Sequence, residues 1–129
     1  NKHNLLTNSG RDWMHAQVYT NSSAGTVGAY FIGLTVNTGT PAVTDTLLTG
    51  EITTGGLARA AGATTHSSGT NSTTIQKTFT ASAVHTAVVK AALFNQLAVG
   101  GTMAHINTFT AVTLQSSDTL QVTWTVTLG

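Results

Sequence analysis

Residues 120–128, Leu-Gln-Val-Thr-Trp-Thr-Val-Thr-Leu, alternate apolar and polar side chains without a miss. A repeat of two marks a strand with one buried face, because successive side chains of an extended backbone point to opposite sides. Burying Leu120, Val122, Trp124, Val126 and Leu128 contributes roughly 8 to 15 kcal/mol. Fixing the backbone of the segment costs roughly 9 to 18 kcal/mol, so it cannot stand alone. It needs neighbouring strands to pair its N–H and C=O groups and a second layer to cover Trp124. That need constrains the fold class of the whole chain.

The same alternation returns in Tyr30, Ile32, Leu34 and Val36, set against Phe31, Gly33 and Thr35, and again in Ile75, Lys77 and Phe79. Residues 87–94 are continuously apolar apart from Lys90 and read as a strand covered on both sides, with Val88 and Val89 favouring sheet over helix. Residues 103–114 supply one or two more strands, with Phe109, Val112 and Leu114 as core candidates. Asn, Ser and Gly make turns of residues 21–28, 96–101 and 116–118, and residues 37–45 form a loop around the sole proline, Pro41. Gly50, Gly55 and Gly56 break residues 47–59 into short pieces, and residues 60–71 form either an exposed loop or a flat edge.

At the start, residues 1–8 read as an arm. A short helix over residues 11–18 follows, capped by Asn8 or Ser9, with Asp12 in its first turn and Trp13, Ala16 and Gln17 on one face. A strand through Met14, Ala16 and Val18 competes with it. The expectation is seven or eight strands with at most one short helix near the N-terminus. That makes residues 9–129 one all-β domain, an antiparallel β-sandwich of jelly-roll or Greek-key type.

Charge is scarce in this chain. Four acids and five Lys or Arg among 129 residues make 7% charged against 40% hydrophobic, where about 25% charged is usual. Threonine fills roughly one position in five, and its branched carbon lets strand faces be built without charge. A neutral, hydroxyl-rich surface is suited to being covered, so a self-associating or assembled protein is expected. A net charge of +1 with no basic cluster gives no electrostatic case for nucleic acid or membrane as a partner. There is no cysteine, no apolar run long enough to span a bilayer, and no basic-then-apolar leader.

The residues that carry chemistry are dispersed. His3, His15, His66, His85 and His105 show no chelating spacing within one element, although a threefold axis could gather one from each subunit. Asp12, Asp45, Glu51 and Asp118 fall in turns or caps, and no nucleophile elbow or phosphate loop is present. No catalytic residue, metal ligand or cofactor is expected, and no enzyme. Glu51 and Arg59 flank Gly55-Gly56 and can meet across that turn. They either brace the loop or form a bridge between subunits.

The succession Asn4-Leu5-Leu6-Thr7-Asn8 with Gly10-Arg11-Asp12, then Leu48-Thr49-Gly50-Glu51-Ile52 and Gly56-Leu57-Ala58-Arg59, resembles small structural proteins of tailed bacteriophages. So does the second half, through Thr78-Phe79-Thr80, Ala92-Leu93-Phe94-Asn95, Gly101-Thr102-Met103-Ala104, Phe109, Asp118-Thr119-Leu120 and Thr123-Trp124-Thr125. The likeness spans nearly the whole chain but rests on framework residues of strands and turns. It implies a virion component made in the host cytoplasm, foremost a capsid cement or decoration protein. Such a protein sits on the outer capsid surface as a homotrimer and clamps neighbouring capsomers, with the major capsid protein as partner. A tail-fibre or collar component, or a carbohydrate-binding receptor module, is the alternative. The expected docking residues are Lys2, His3, Asn4, Leu5 and Leu6 of the arm, Trp13, Tyr30 and Phe31 as aromatic anchors, His66 in the loop of residues 60–71, and the Glu51–Arg59 pair.

Overall fold

The computed structural model describes residues 5–20 and 28–128. One helix, α1 (Asn8–Tyr19), precedes seven strands: β1 (Phe31–Thr35), β2 (Ala60–Ala61), β3 (Ala63–His66), β4 (Ser72–Thr80), β5 (His85–Phe94), β6 (Met103–Leu114) and β7 (Thr119–Thr127). They form two antiparallel sheets, ordered β2-β1-β5-β6 and β3-β4-β7. The hairpin β5–β6 falls in sequence between β4 and β7, yet lies in the other sheet while β4 and β7 pair with each other. That nesting is the Greek-key move expected of the sandwich.

Three of the four sides of the sandwich are closed, each in a different way, and the fourth is left open among the described residues. Along one side only Gly62 separates β2 from β3, so a single run of chain passes from sheet to sheet. A Cβ on Gly62 would stand 2.6 Å from Ile75 Cγ2, so glycine here is a matter of space between the sheets. At one end, residues 81–84 and 115–118 tie the strands together, with Ala81 N–H donating to Asp118 O and Ser117 N–H to Ala81 O. At the opposite end α1 lies over the close of β3 and the start of β4, and its Tyr19 reaches β6. The remaining side, where β6 and β7 are the outermost strands of their sheets, has no cover among the described residues.

The main core is made by Ile32 and Leu34 of β1, Ile75 and Phe79 of β4, Val88, Ala91 and Leu93 of β5, and Val126 of β7. A second cluster, Phe31, Leu48, Ala92 and Phe94, lies on the outer face of the four-stranded sheet. Residues 36–59 fold back over that face, with Ile52 N–H donating to Leu34 O and the Thr35 hydroxyl to Thr49 O. All five residues of β1 are therefore buried. The alternation read in this strand reflects two apolar environments, one per face, and not a wet side and a dry side. The last strand follows its sequence pattern: Leu120, Val122 and Trp124 are half-buried and Val126 buried, with the intervening residues exposed.

The helix is longer than its sequence predicts, and it buries a different face. Thr7 and not Asn8 or Ser9 is the N-cap, its hydroxyl accepting from Gly10 N–H at 3.0 Å, which confines the arm to the residues before it. Trp13 is 65% exposed, while His15 and Tyr19, one turn apart, are the buried residues of α1. Thr7→Ala is expected to cost about 1 kcal/mol, the value of an N-cap hydroxyl, measurable as a lowered urea midpoint with an unchanged slope.

Candidate functional site

Most of the described charges are bonded within the chain. Of the eight charged side chains in the described residues, six are bonded within the chain, leaving Arg11 and Lys77 without an ion-pair or hydrogen-bond partner. Asp45 and Asp118 each accept a backbone N–H in their turns, from Ala42 and Gln115 respectively. Lys90, 5% exposed, donates to Gly39 O and to Asn37 Oδ1. Such turn and loop bonds use the few charges to fix backbone.

Glu51 and Arg59 form the most complete of these sites. Arg59 Nε donates to Glu51 Oε2 at 2.8 Å and Nη2 to Oε1 at 2.6 Å, a two-point match of fork to carboxylate. Nη1 lies 3.1, 2.8 and 3.0 Å from the carbonyls of Gln96, Ala98 and Gly100, and Cζ sits 3.5 Å over the Phe94 ring. A Cβ on Gly33 would come within 2.9 Å of Glu51 Oε2, so β1 carries glycine where the carboxylate must approach. The pair braces residues 47–59 against residues 96–100. Its side chains are 6% and 3% exposed, which corrects their expected place at a subunit interface: every polar group is already satisfied inside one chain.

The second polar site joins α1 to the sandwich. Asp12 accepts from His66 Nε2 at 2.7 Å, from Ser68 Oγ at 3.0 Å and from Gly69 N–H. His66 Nδ1 faces Ser72 O at 2.8 Å. Both partners of the ring are acceptors, so both nitrogens carry protons and His66 is an imidazolium. The Asp12 bond, then that to Ser72, pushes its pKa above the ordinary histidine range, and the same His66 bond first, then Gly69, lowers that of Asp12. With both nitrogens engaged, His66 has no free position for proton transfer. Its ring, 12% exposed, is bonded within the chain, to Asp12 of α1 and Ser72 of β4; Asp12 likewise serves a loop and not the helix dipole.

Behind His66 an aromatic ladder runs into the molecule. The His15 ring stacks on His66 with centroids 4.3 Å apart, and the Thr73 hydroxyl is hydrogen-bonded to His15 Nδ1. Tyr19 O–H meets His105 Nε2 at 3.0 Å, and His105 packs against Trp124. Burial lowers the pKa of His15, with the His66 charge adding to it, and burial alone lowers that of His105 and raises that of Tyr19. Among the described residues no three metal-binding side chains gather.

The third feature is the uncovered side. β7 pairs with β4 in unbroken register over nine positions, from Ser72 with Thr127 to Thr80 with Thr119. It contains no charge, proline or glycine, the devices by which exposed edges are commonly blunted. β6 is charge-free as well, but three irregularities interrupt its pairing with β5, between Leu114 and Val112, around Phe109 and at its start. The three-stranded sheet is one strand short of the sheet it faces. Where that strand is missing, Phe109, Leu120, Gln121, Val122 and Thr123 line a slot of about 270 Å³. A second slot of about 140 Å³ lies beside it, with Ala91 and Trp124 in its walls.

Of the remaining expected docking residues, Leu5 and Trp13 are exposed and Leu6 is 42% exposed. Lys2, His3 and Asn4 lie outside the described residues. Tyr30 is half-buried and stacks on Phe31 at 4.4 Å. Phe31 is buried in the second cluster, so it supports the sheet and is no anchor for a partner. Among the described residues, the structure thus brings none of the expected docking residues onto the open side. Phe109, Val122 and Trp124, read from the sequence as core, are the ones that line it. Compared with known protein families, curated proteins and solved structures, the chain matches none.

Proposed function

We propose that this protein is a structural component of a bacteriophage virion, a cement or decoration protein that self-associates as a homotrimer and docks on the outer capsid surface to hold neighbouring capsomers together. The observation that carries this reading is the open β6–β7 side: a regular, uncharged strand edge beside an apolar slot, on a molecule whose charges are committed internally. An added strand gains backbone bonds along β7 and side-chain pockets in the slot, the two elements of strand addition. The sequence resemblance to phage structural proteins supports the same class. A cement protein works by binding the assembled shell in preference to its free subunits, which stabilises the shell by mass action.

Val122→Lys places a charge at the mouth of the slot. It is expected to cost the isolated protein about 2–3 kcal/mol, because the ammonium can extend through the open side into water but stands directly across from Lys77 of β4. Docking should fall by at least tenfold. The measurement is co-sedimentation of wild type and variant with emptied, expanded capsids, with mass photometry of each alone. Undiminished binding by the variant counts against the β6–β7 side, and no binding by wild type counts against the capsid role altogether. Exposed Trp13 is the one feature that favours the alternative, a receptor-binding module of a tail fibre or collar. Tight retention on a glycan array, lost in Trp13→Ala, would establish it.

A further inference from the structure

We propose that α1 is a latch, held on the end of the sandwich by two stacked histidines in opposite protonation states, His66 charged and His15 neutral, and that acidification opens it. The geometry requires this division. His66 donates from both nitrogens, to Asp12 on α1 and to Ser72 O on β4. His15, 0% exposed and 4.3 Å away, has Thr73 on Nδ1 and no hydrogen-bond partner for Nε2 among the described residues. A second proton on this pair would put two like charges face to face, one of them on the fully buried His15 ring.

The ionisable groups around the pair all lie on elements that meet at this end. α1 contributes Arg11, Asp12 and Tyr19, β3 contributes His66, and β6 contributes His105; Ser68, Gly69, Thr73 and Trp124 complete the surround without charge. Arg11 opposes a charge on His15; Asp12 and the Asn71 backbone favour one without reversing the effect of burial. His15 and His105 are depressed in the docked state, so their contribution to docking is full above the ordinary value of about 6.5 and lost as pH falls below it. His66 is raised, so its contribution is full below about 6.5 and lost only as pH rises through its elevated value. Asp12 is lowered and fails only in strong acid. Two groups thus release α1 on the acid side and one on the alkaline side, and docking is strongest just above 6.5.

The test is hydrogen–deuterium exchange of the full protein at pH 7 and pH 5, corrected for intrinsic rates, comparing amides of α1 with those of β4 and β7. Protection of α1 is expected to fall about tenfold or more while the strands keep theirs, since each unit of pKa depression carries a factor of ten. His15→Gln can still hold Thr73 and cannot ionise, so its α1 is expected to keep more protection at pH 5 than that of wild type, with only the His105 contribution lost. Titration of the histidine ring protons in wild type gives an independent reading that needs no variant. His66 should titrate above, and His15 and His105 below, the ordinary value, the latter two together with the loss of α1 protection. Constant α1 protection in wild type, loss of strands and helix together, or opening of α1 at pH 5 in His15→Gln to the same extent as in wild type would each overturn the latch.

Discussion

Arg59→Met is expected to lower the free energy of unfolding by about 3–5 kcal/mol, which for a domain of this size is a fall in Tm of about 10–20 °C. Methionine keeps a contact with Phe94 but leaves the Glu51 carboxylate buried with no cation, and a half-broken buried pair costs far more than an intact one contributes. Three carbonyls, those of Gln96, Ala98 and Gly100, lose their donor as well. Replacing both partners, Glu51→Leu with Arg59→Met, should recover only part of the loss, since the carboxylate is gone but the carbonyls remain unpaired. The charge-reversed pair, Glu51→Arg with Arg59→Glu, should recover none, because it sets a carboxylate against those same oxygens. Urea unfolding of the four proteins checks the series. Full recovery by the reversed pair would mean that the contact is simple Coulomb attraction and that the carbonyls do not matter.

Phe79→Ala and Phe109→Ala make the second test, one between the two sides of a single core. Phe79, 2% exposed, pairs with Leu120 where both sheets cover it. Its truncation leaves a cavity with no way to collapse, at about 3–5 kcal/mol. Phe109 is half-buried beside the open slots and loses much less water-excluded surface, about 1–2 kcal/mol. Thermal unfolding should separate the two by roughly 10 °C. Docking should rank them the other way, with Phe109→Ala the more impaired in binding to expanded capsids.

The parts of this fold that were legible in the sequence are those governed by a local repeat. The period of two in residues 120–128 and 75–79 gave β7 and β4, and the continuous apolar run gave β5, because strand alternation and two-sided burial leave their mark within a few residues. Residues 60–71 were left between loop and edge, and they are β2, β3 and the turn that follows. Small and hydroxyl side chains there carry no pattern, and the strands form because β1 and β4 offer them edges. The buried face of α1 was misread because His15 and Tyr19 are polar aromatics whose burial is decided by partners far along the chain, Thr73 and His105. The same distance hid the Asp12–His66 contact. Glu51 and Arg59 were found by their closeness in sequence, but their burial depends on residues 96–100, and the spacing of the two gave no sign of it.

The molecule is built like a book. Gly62 is its spine, where one ribbon of chain belongs to both covers, while β6 and β7 are the fore-edge, uncovered among the described residues. Covers joined at one margin can part only at the other, so separation of the two sheets is expected to begin beside Phe109 and Val122 and not at the glycine. On the proposed capsid role, a margin of that kind would let one protein seat itself on sites of unequal curvature, parting a little more where the shell is flat and a little less where it bends.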